Sequence, residues 1–136
     1  MKTGLTVINS SHFGYVLKNL ICSLFTMKQF VIDELRPADY TKLKKYLDEN
    51  LGADALEGIY WLPLEPEIFS GIQTQHKDCK PFYFAIDLEP DRVIIELLVR
   101  TKNRVRCACI TYATEAQCKW LMRRIDQIFE QLDIIY

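Results

Sequence analysis

The sequence predicts an α+β domain: a mainly antiparallel sheet of about five strands in the order β-α-β-(α)-β-β-β-α, with the helices on one face. Three observations predict it. Early in the chain, strand-like runs alternate with stretches of helical period. Three β-prone runs, 82–88, 92–101 and 104–112, then follow one another across turn-sized gaps, the arrangement of antiparallel neighbours. The closing stretch TEAQCKWLMRRIDQIFEQLDII places Cys118, Leu121, Met122, Ile125, Ile128, Phe129 and Leu132 on one wide helical stripe.

Taken in order, KQFVIDEL (28–35) reads as a strand, stopped by Pro37. Proline suits the first position of a helix, where its missing N–H costs nothing. The helix it opens sets Tyr40, Leu43, Leu47 and Leu51 on one face and Lys42, Lys44 and Lys45 outside, and Gly52 ends it. GIYWLPL (58–64) is a second strand, near an edge or bend because Pro63 cannot donate to a ladder. Within it and the next strand, Tyr60, Trp61, Phe82 and Phe84 read as core residues. Between Pro66 and Pro81, the spacing of Ile68, Phe69, Ile72, His76 and Cys79 predicts a helix interrupted only by Gly71. EPDR (89–92) has turn composition, and Lys102-Asn103 reads as a two-residue hairpin turn with Asn able to take positive φ. Thr114 and Gln117 match a capping box at the start of the last helix. A topology of this order, with the middle helix as an insertion, is similar to that of TATA-box-binding-protein-like folds.

The size of 136 residues and a hydrophobic share of 49% suit one domain with a full core. Residues 27–136 form that domain. Residues 1–26 hold no Asp or Glu and only Lys2 and Lys18 as charges, so they read as an arm or as an amphipathic helix over Phe13, Val16, Leu17, Leu20, Ile21 and Leu24. No membrane association is expected, because that segment is too short and too polar to span a bilayer. It also lacks the unbroken apolar run and cleavage site of a secretory signal. The five cysteines form no CxxC pair, which points to free thiols and a cytoplasmic location. A net charge of −1 excludes a surface that is basic all over.

FVIDELRPADYTKLKKYL resembles the first strand and helix of N-acetyltransferases of the GNAT superfamily. That family grips acetyl-CoA with an Arg/Gln-x-x-Gly-x-Gly/Ala loop, whereas Gly4, Gly14, Gly52, Gly58 and Gly71 all stand alone here. No residue is carried over, and the same isolation removes phosphate-cradling P-loop and Rossmann sites.

Three groups of residues remain. On a helix, His76 and Cys79 share a face, and on a strand Cys107 and Cys109 share another, so the four make an N/S set acceptable to zinc if they converge. Strand neighbours two apart diverge unless the backbone bends, so the set reads first as core packing and no cofactor is expected. Cys79 between Lys77 and Lys80, one turn from His76, is the one arrangement suggesting a reactive thiol, without an elbow or oxyanion loop beside it. Arg100, Lys102, Arg104 and Arg106 form the densest basic stretch. Its arginines are expected on one strand face with Glu96, paired to it and Asp87 in the simplest case, and near Tyr83 as a stacking ring. No catalytic residue is identified. The expected function is a non-enzymatic binding or assembly module with a protein partner or a second copy of itself. Nucleic-acid binding through 100–106 is the alternative, and a metal or thiol site at His76 and Cys79 the third.

Overall fold

The computed structural model describes residues 6–7, 29–52 and 56–136. Its strands are β1 (Thr6–Val7), β2 (Gln29–Ile32), β3 (Ile59–Pro63), β4 (Phe82–Glu89), β5 (Arg92–Glu96), β6 (Leu98–Thr101) and β7 (Thr111–Tyr112). Its helices are α1 (Pro37–Leu51), α2 (Gly71–Gln75) and α3 (Glu115–Gln131). The α+β class and the mainly antiparallel sheet are as the sequence predicts. The helix expected over Phe13–Leu24 lies outside the described residues.

β4 is the central strand. β3 pairs antiparallel along one side of it, from Tyr83 to Asp87. On its other side β5 pairs with Ile86–Glu89 and β6 with Phe82 and Tyr83. β2 lies beyond β5 and β7 beyond β6, both antiparallel, while β1 runs parallel to β2. The predicted strand 92–101 is thus split at Leu97. From the pair Ile86↔Ile95 to the pair Tyr83↔Arg100, β4 advances three residues and its neighbour five. The bulge therefore holds two extra residues. An even insertion preserves the face of every side chain, whereas an odd one would turn the core residues out. Val93, Ile95, Leu97, Val99 and Thr101 accordingly all remain buried.

That inner face, with Phe30, Ile32, Phe82, Phe84 and Ile86, packs in one core with Leu43, Tyr46 and Leu47 of α1 and Leu121, Met122, Ile125 and Phe129 of α3. Apolar burial of this kind contributes about 1.5–3 kcal/mol per large side chain and supplies most of the driving force. Trp61 departs from the expected core assignment. Alternation along β3 buries Tyr60 and Leu62 and puts Trp61 half-buried on the outer face. Tyr60 keeps its hydroxyl satisfied by donating to Asp48 Oδ1 at 2.6 Å.

α1 starts at Pro37 and ends at Gly52, whose φ of +74° suits glycine. The stretch 66–80 coils as expected but not as one helix. It comprises a 3-10 turn at Pro66–Ile68, α2, and a second 3-10 turn at Lys77–Cys79. Ser70 interrupts it: in extended conformation it caps α2, its hydroxyl accepting from Gln73 N while Gln73 Oε1 accepts from Ser70 N. Thr114 and Gln117 form the same reciprocal box on α3. The glutamines of the two boxes also meet. Gln117 Nε2 donates to Gln73 Oε1 at 2.8 Å and to the Ile68 carbonyl at 3.0 Å, and both side chains are fully buried.

Replacing Thr114 by Ala should cost about 1 kcal/mol, the usual loss of a cap. Gln117→Ala should cost about 2–4 kcal/mol, since it also removes the donor to the Ile68 carbonyl and to the fully buried Gln73 amide oxygen. Urea denaturation of both variants checks this; equal losses would show that the glutamine bridge adds nothing to the cap.

Candidate metal centre

The largest difference from expectation lies after β6. Only Thr111 and Tyr112 of the predicted strand 104–112 pair, and residues 102–110 form a nine-residue loop between β6 and β7. Asn103 is the reason the tight hairpin fails. Its side chain does not shape a two-residue turn but donates across to the carbonyls of Lys80 at 2.8 Å and Asp78 at 3.3 Å. Its N–H donates to Thr101 Oγ1, and that hydroxyl donates to the Cys79 carbonyl. The start of the loop is thereby fastened to the second 3-10 turn. The far end is fastened too, because Gln73 Nε2 donates to the Cys109 carbonyl at 3.5 Å.

Cys107 and Cys109 consequently sit on a turn, closed by the Ile110 N–H donating to the Cys107 carbonyl at 3.0 Å. The bend removes the divergence expected of strand neighbours. His76, at the end of α2, and Cys79, in the 3-10 turn, come from the opposite side. One ligand atom from each of His76, Cys79, Cys107 and Cys109 lies within 4.8 Å of all the others. His76 Nδ1 is 3.1 Å from Cys107 Sγ, and Cys79 Sγ is 3.9 Å from it. The second distance is far beyond the roughly 2.05 Å of a disulfide, and all four described thiols are free. Zn–S bonds of about 2.3 Å in a tetrahedron set sulfurs about 3.8 Å apart, close to the Cys79–Cys107 separation.

The thiols differ sharply in acidity. Cys107 is held down at about 6 from its ordinary 9.0, chiefly because the Cys109 N–H and thiol donate to its sulfur, with His76 and Cys79 adding to this. Burial, then the neighbouring sulfurs, push Cys109 up to about 12. Of these two thiols, Cys107 is therefore the one that ionises first. His76 and Cys79 lie in one cluster, and the imidazole makes its hydrogen-bond contact with the Cys107 sulfur. Cys118, buried in α3, is outside the set.

The basic residues do not share one strand face. Arg100 lies on β6 and makes a two-pronged bond to Glu96 at 2.8 and 2.9 Å, as expected. Lys102, Arg104 and Arg106 are exposed on the loop, and no described carboxylate pairs with them, Asp87 included. Lys102 Nζ stands 5.3 Å from the ring centre of Trp61 and 5.1 Å from that of Tyr83. A groove of about 720 Å³ on the helical side, lined by Tyr46, Glu65, Trp120, Arg123 and Arg124 among others, shares no residue with the four ligands. Its single carboxylate and lack of His or Cys offer no acid–base pair. Among the described residues no helix is long and apolar enough to cross a membrane.

Sequence reasoning missed Gln73 and Thr101 and read Asn103 as a turn residue, whereas all three position the ligands. Ser70-x-x-Gln73 carried a readable capping signal; Thr101 carried none, and the turn propensity of Asn103 pointed to a local role. Comparison with family models, with curated proteins and with solved structures finds no match to this chain.

In metal-free protein, alkylation of Cys107 should reach half its maximal rate near pH 6 and not near 9, read by peptide mapping. Because ionisation of Cys107 is favoured in the folded state, its contribution to stability is present above pH 9 and lost as pH falls through 6. Cys109 acts oppositely, lowering stability as pH rises from 9 toward 12. Unfolding of the chelated protein should therefore be hardest near pH 9. Stability that declines steadily from pH 6 to 9 would contradict the assignment.

Proposed function

We propose that this protein is a non-enzymatic binding module whose irregular end is held by a structural zinc ion on His76, Cys79, Cys107 and Cys109. The observation that supports it is the approach of four ligand atoms to within 4.8 Å of one another from two segments far apart in sequence. One imidazole and three thiols are a soft donor set that zinc accepts in a closed, four-coordinate shell. A filled shell has no position for substrate or an activated water, which favours a structural role over a catalytic one. The ligands are also supported as metal ligands usually are: the Cys109 N–H faces the Cys107 sulfur, and Gln73, Thr101 and Asn103 fix the backbone on both sides.

The ion's role is to join two loops. Residues 76–79 and 107–109 carry few ladder hydrogen bonds of their own, so their closure must be offset by contacts between them. Binding to a site absent from the unfolded chain adds directly to folding stability. At a free zinc concentration 1,000 times its Kd the gain is about 4 kcal/mol.

Protein purified without added metal should contain one zinc per chain by elemental analysis and native mass spectrometry. Chelation should lower the unfolding midpoint, and Co(II) substitution should give the visible bands of a tetrahedral thiolate site. Cys107→Ser and Cys109→Ser should lose the metal, while Cys118→Ser should retain it. A metal-free protein with no zinc affinity tighter than micromolar would overturn the reading, as would equal loss in Cys118→Ser.

A further inference from the structure

We infer that the outer face of the sheet, at the end beside the four ligands, binds single-stranded nucleic acid. Trp61 and Tyr83 supply the stacking surface, and Lys102, Arg104 and Arg106 contact the phosphates. The inference names a ligand for the binding module proposed above and rests on that reading. It does not depend on which ion fills the cluster.

Strand alternation turns Trp61 and Tyr83 to the face opposite the core, where their rings meet edge to face at 6.0 Å. Tyr83 is paired with Arg100, so this surface continues on to β6, and Tyr112 on β7 is exposed. A sheet face that carries aromatic rings beside cations is the arrangement on which unpaired bases stack while their phosphates are held electrostatically. Lys102 now lies over both rings, and a cation–π contact at an exposed site is weak enough to be exchanged for a base.

Charge selects the ligand. Arg100 is taken up by Glu96, but Lys102, Arg104 and Arg106 have no described acidic partner. The carboxylates of Asp87, Glu89 and Asp91 lie at the other end of β4 and in the turn after it. The basic loop thus lies at the aromatic end of the sheet. Zinc with three thiolates and one neutral imidazole carries −1, so the metal would hold the loop without adding positive charge. Val105, 91% exposed between the two arginines, is not serving the core, so this segment of the loop lies at the surface. A duplex, whose bases are stacked internally, offers nothing to Trp61 and Tyr83. The favoured ligand is accordingly single-stranded.

The test uses full-length protein with fluorescently labelled single-stranded RNA, single-stranded DNA, a duplex of the same sequence, and an acidic peptide of equal charge. Single strands should bind at low salt, with log K falling against log salt at a slope of about −2 for three phosphate contacts. The variant R104A/R106A should bind at least tenfold more weakly and reduce the slope to about −0.7, with its zinc content unchanged. In W120F, which leaves Trp61 as the only tryptophan, an oligonucleotide should quench the fluorescence. Relative affinity for RNA and DNA then assigns the sugar. No binding at low salt, equal affinity for duplex or acidic peptide, or an unquenched Trp61 would overturn the inference. If oligonucleotide binds but zinc is absent, the metal assignment falls and this one stands; zinc without oligonucleotide binding gives the reverse.

Discussion

The constraint on which this end of the molecule depends is that the loop between β6 and β7 has almost no ladder to hold it. Nine residues leave the sheet and return, and their backbone groups still need partners. Several of the partners come from the stretch 73–80, the end of α2 and the turn after it. Thr101 and Asn103 bond to the carbonyls of residues 78–80, and Gln73 bonds to the Cys109 carbonyl. The common point of the two segments is the cluster of His76, Cys79, Cys107 and Cys109, where a single ion could replace many weaker contacts.

The same network reaches the helices. Gln73 serves three purposes at once: it completes the cap of α2, accepts from Gln117 at the cap of α3, and donates to the Cys109 carbonyl. Buried amides are costly unless every group is paired, and no buried side-chain N or O among the described residues lacks a partner. The position of α3 on the core is thus coupled to the conformation of the cysteine turn. A disturbance at the cluster should be felt in helix packing before it reaches the centre of the sheet, which is closed by its own strand pairing and apolar core.

The two faces of the sheet divide the work of the protein. The inner face carries the large apolar side chains, and the bulge at Leu97 keeps its alternation intact. The outer face carries rings and cations gathered where Lys102 of the loop reaches over it. The two-residue insertion contributes to both outcomes: it preserves the core and lets β7, instead of β2, flank the strand at the loop end.

Local chemistry explains what could be read in advance. Pro37, Gly52, Thr114 and Gln117 act on their immediate neighbours, so the bounds of α1 and the start of α3 follow from them. The alternation of 82–88 determines β4, and the long apolar stripe determines α3, because burial repeats at the period of the backbone. The four potential ligands were legible as residue types, but their meeting was not. It depends on Asn103 and Thr101 choosing carbonyls more than twenty residues away over a tight turn, and on the cysteines leaving the strand their composition suits. Trp61 likewise faces outward because of a register that only strand pairing sets. Sequence by itself determined the elements, whose causes lie within a few residues; tertiary structure decided the site, because its bonds join segments that share no local pattern.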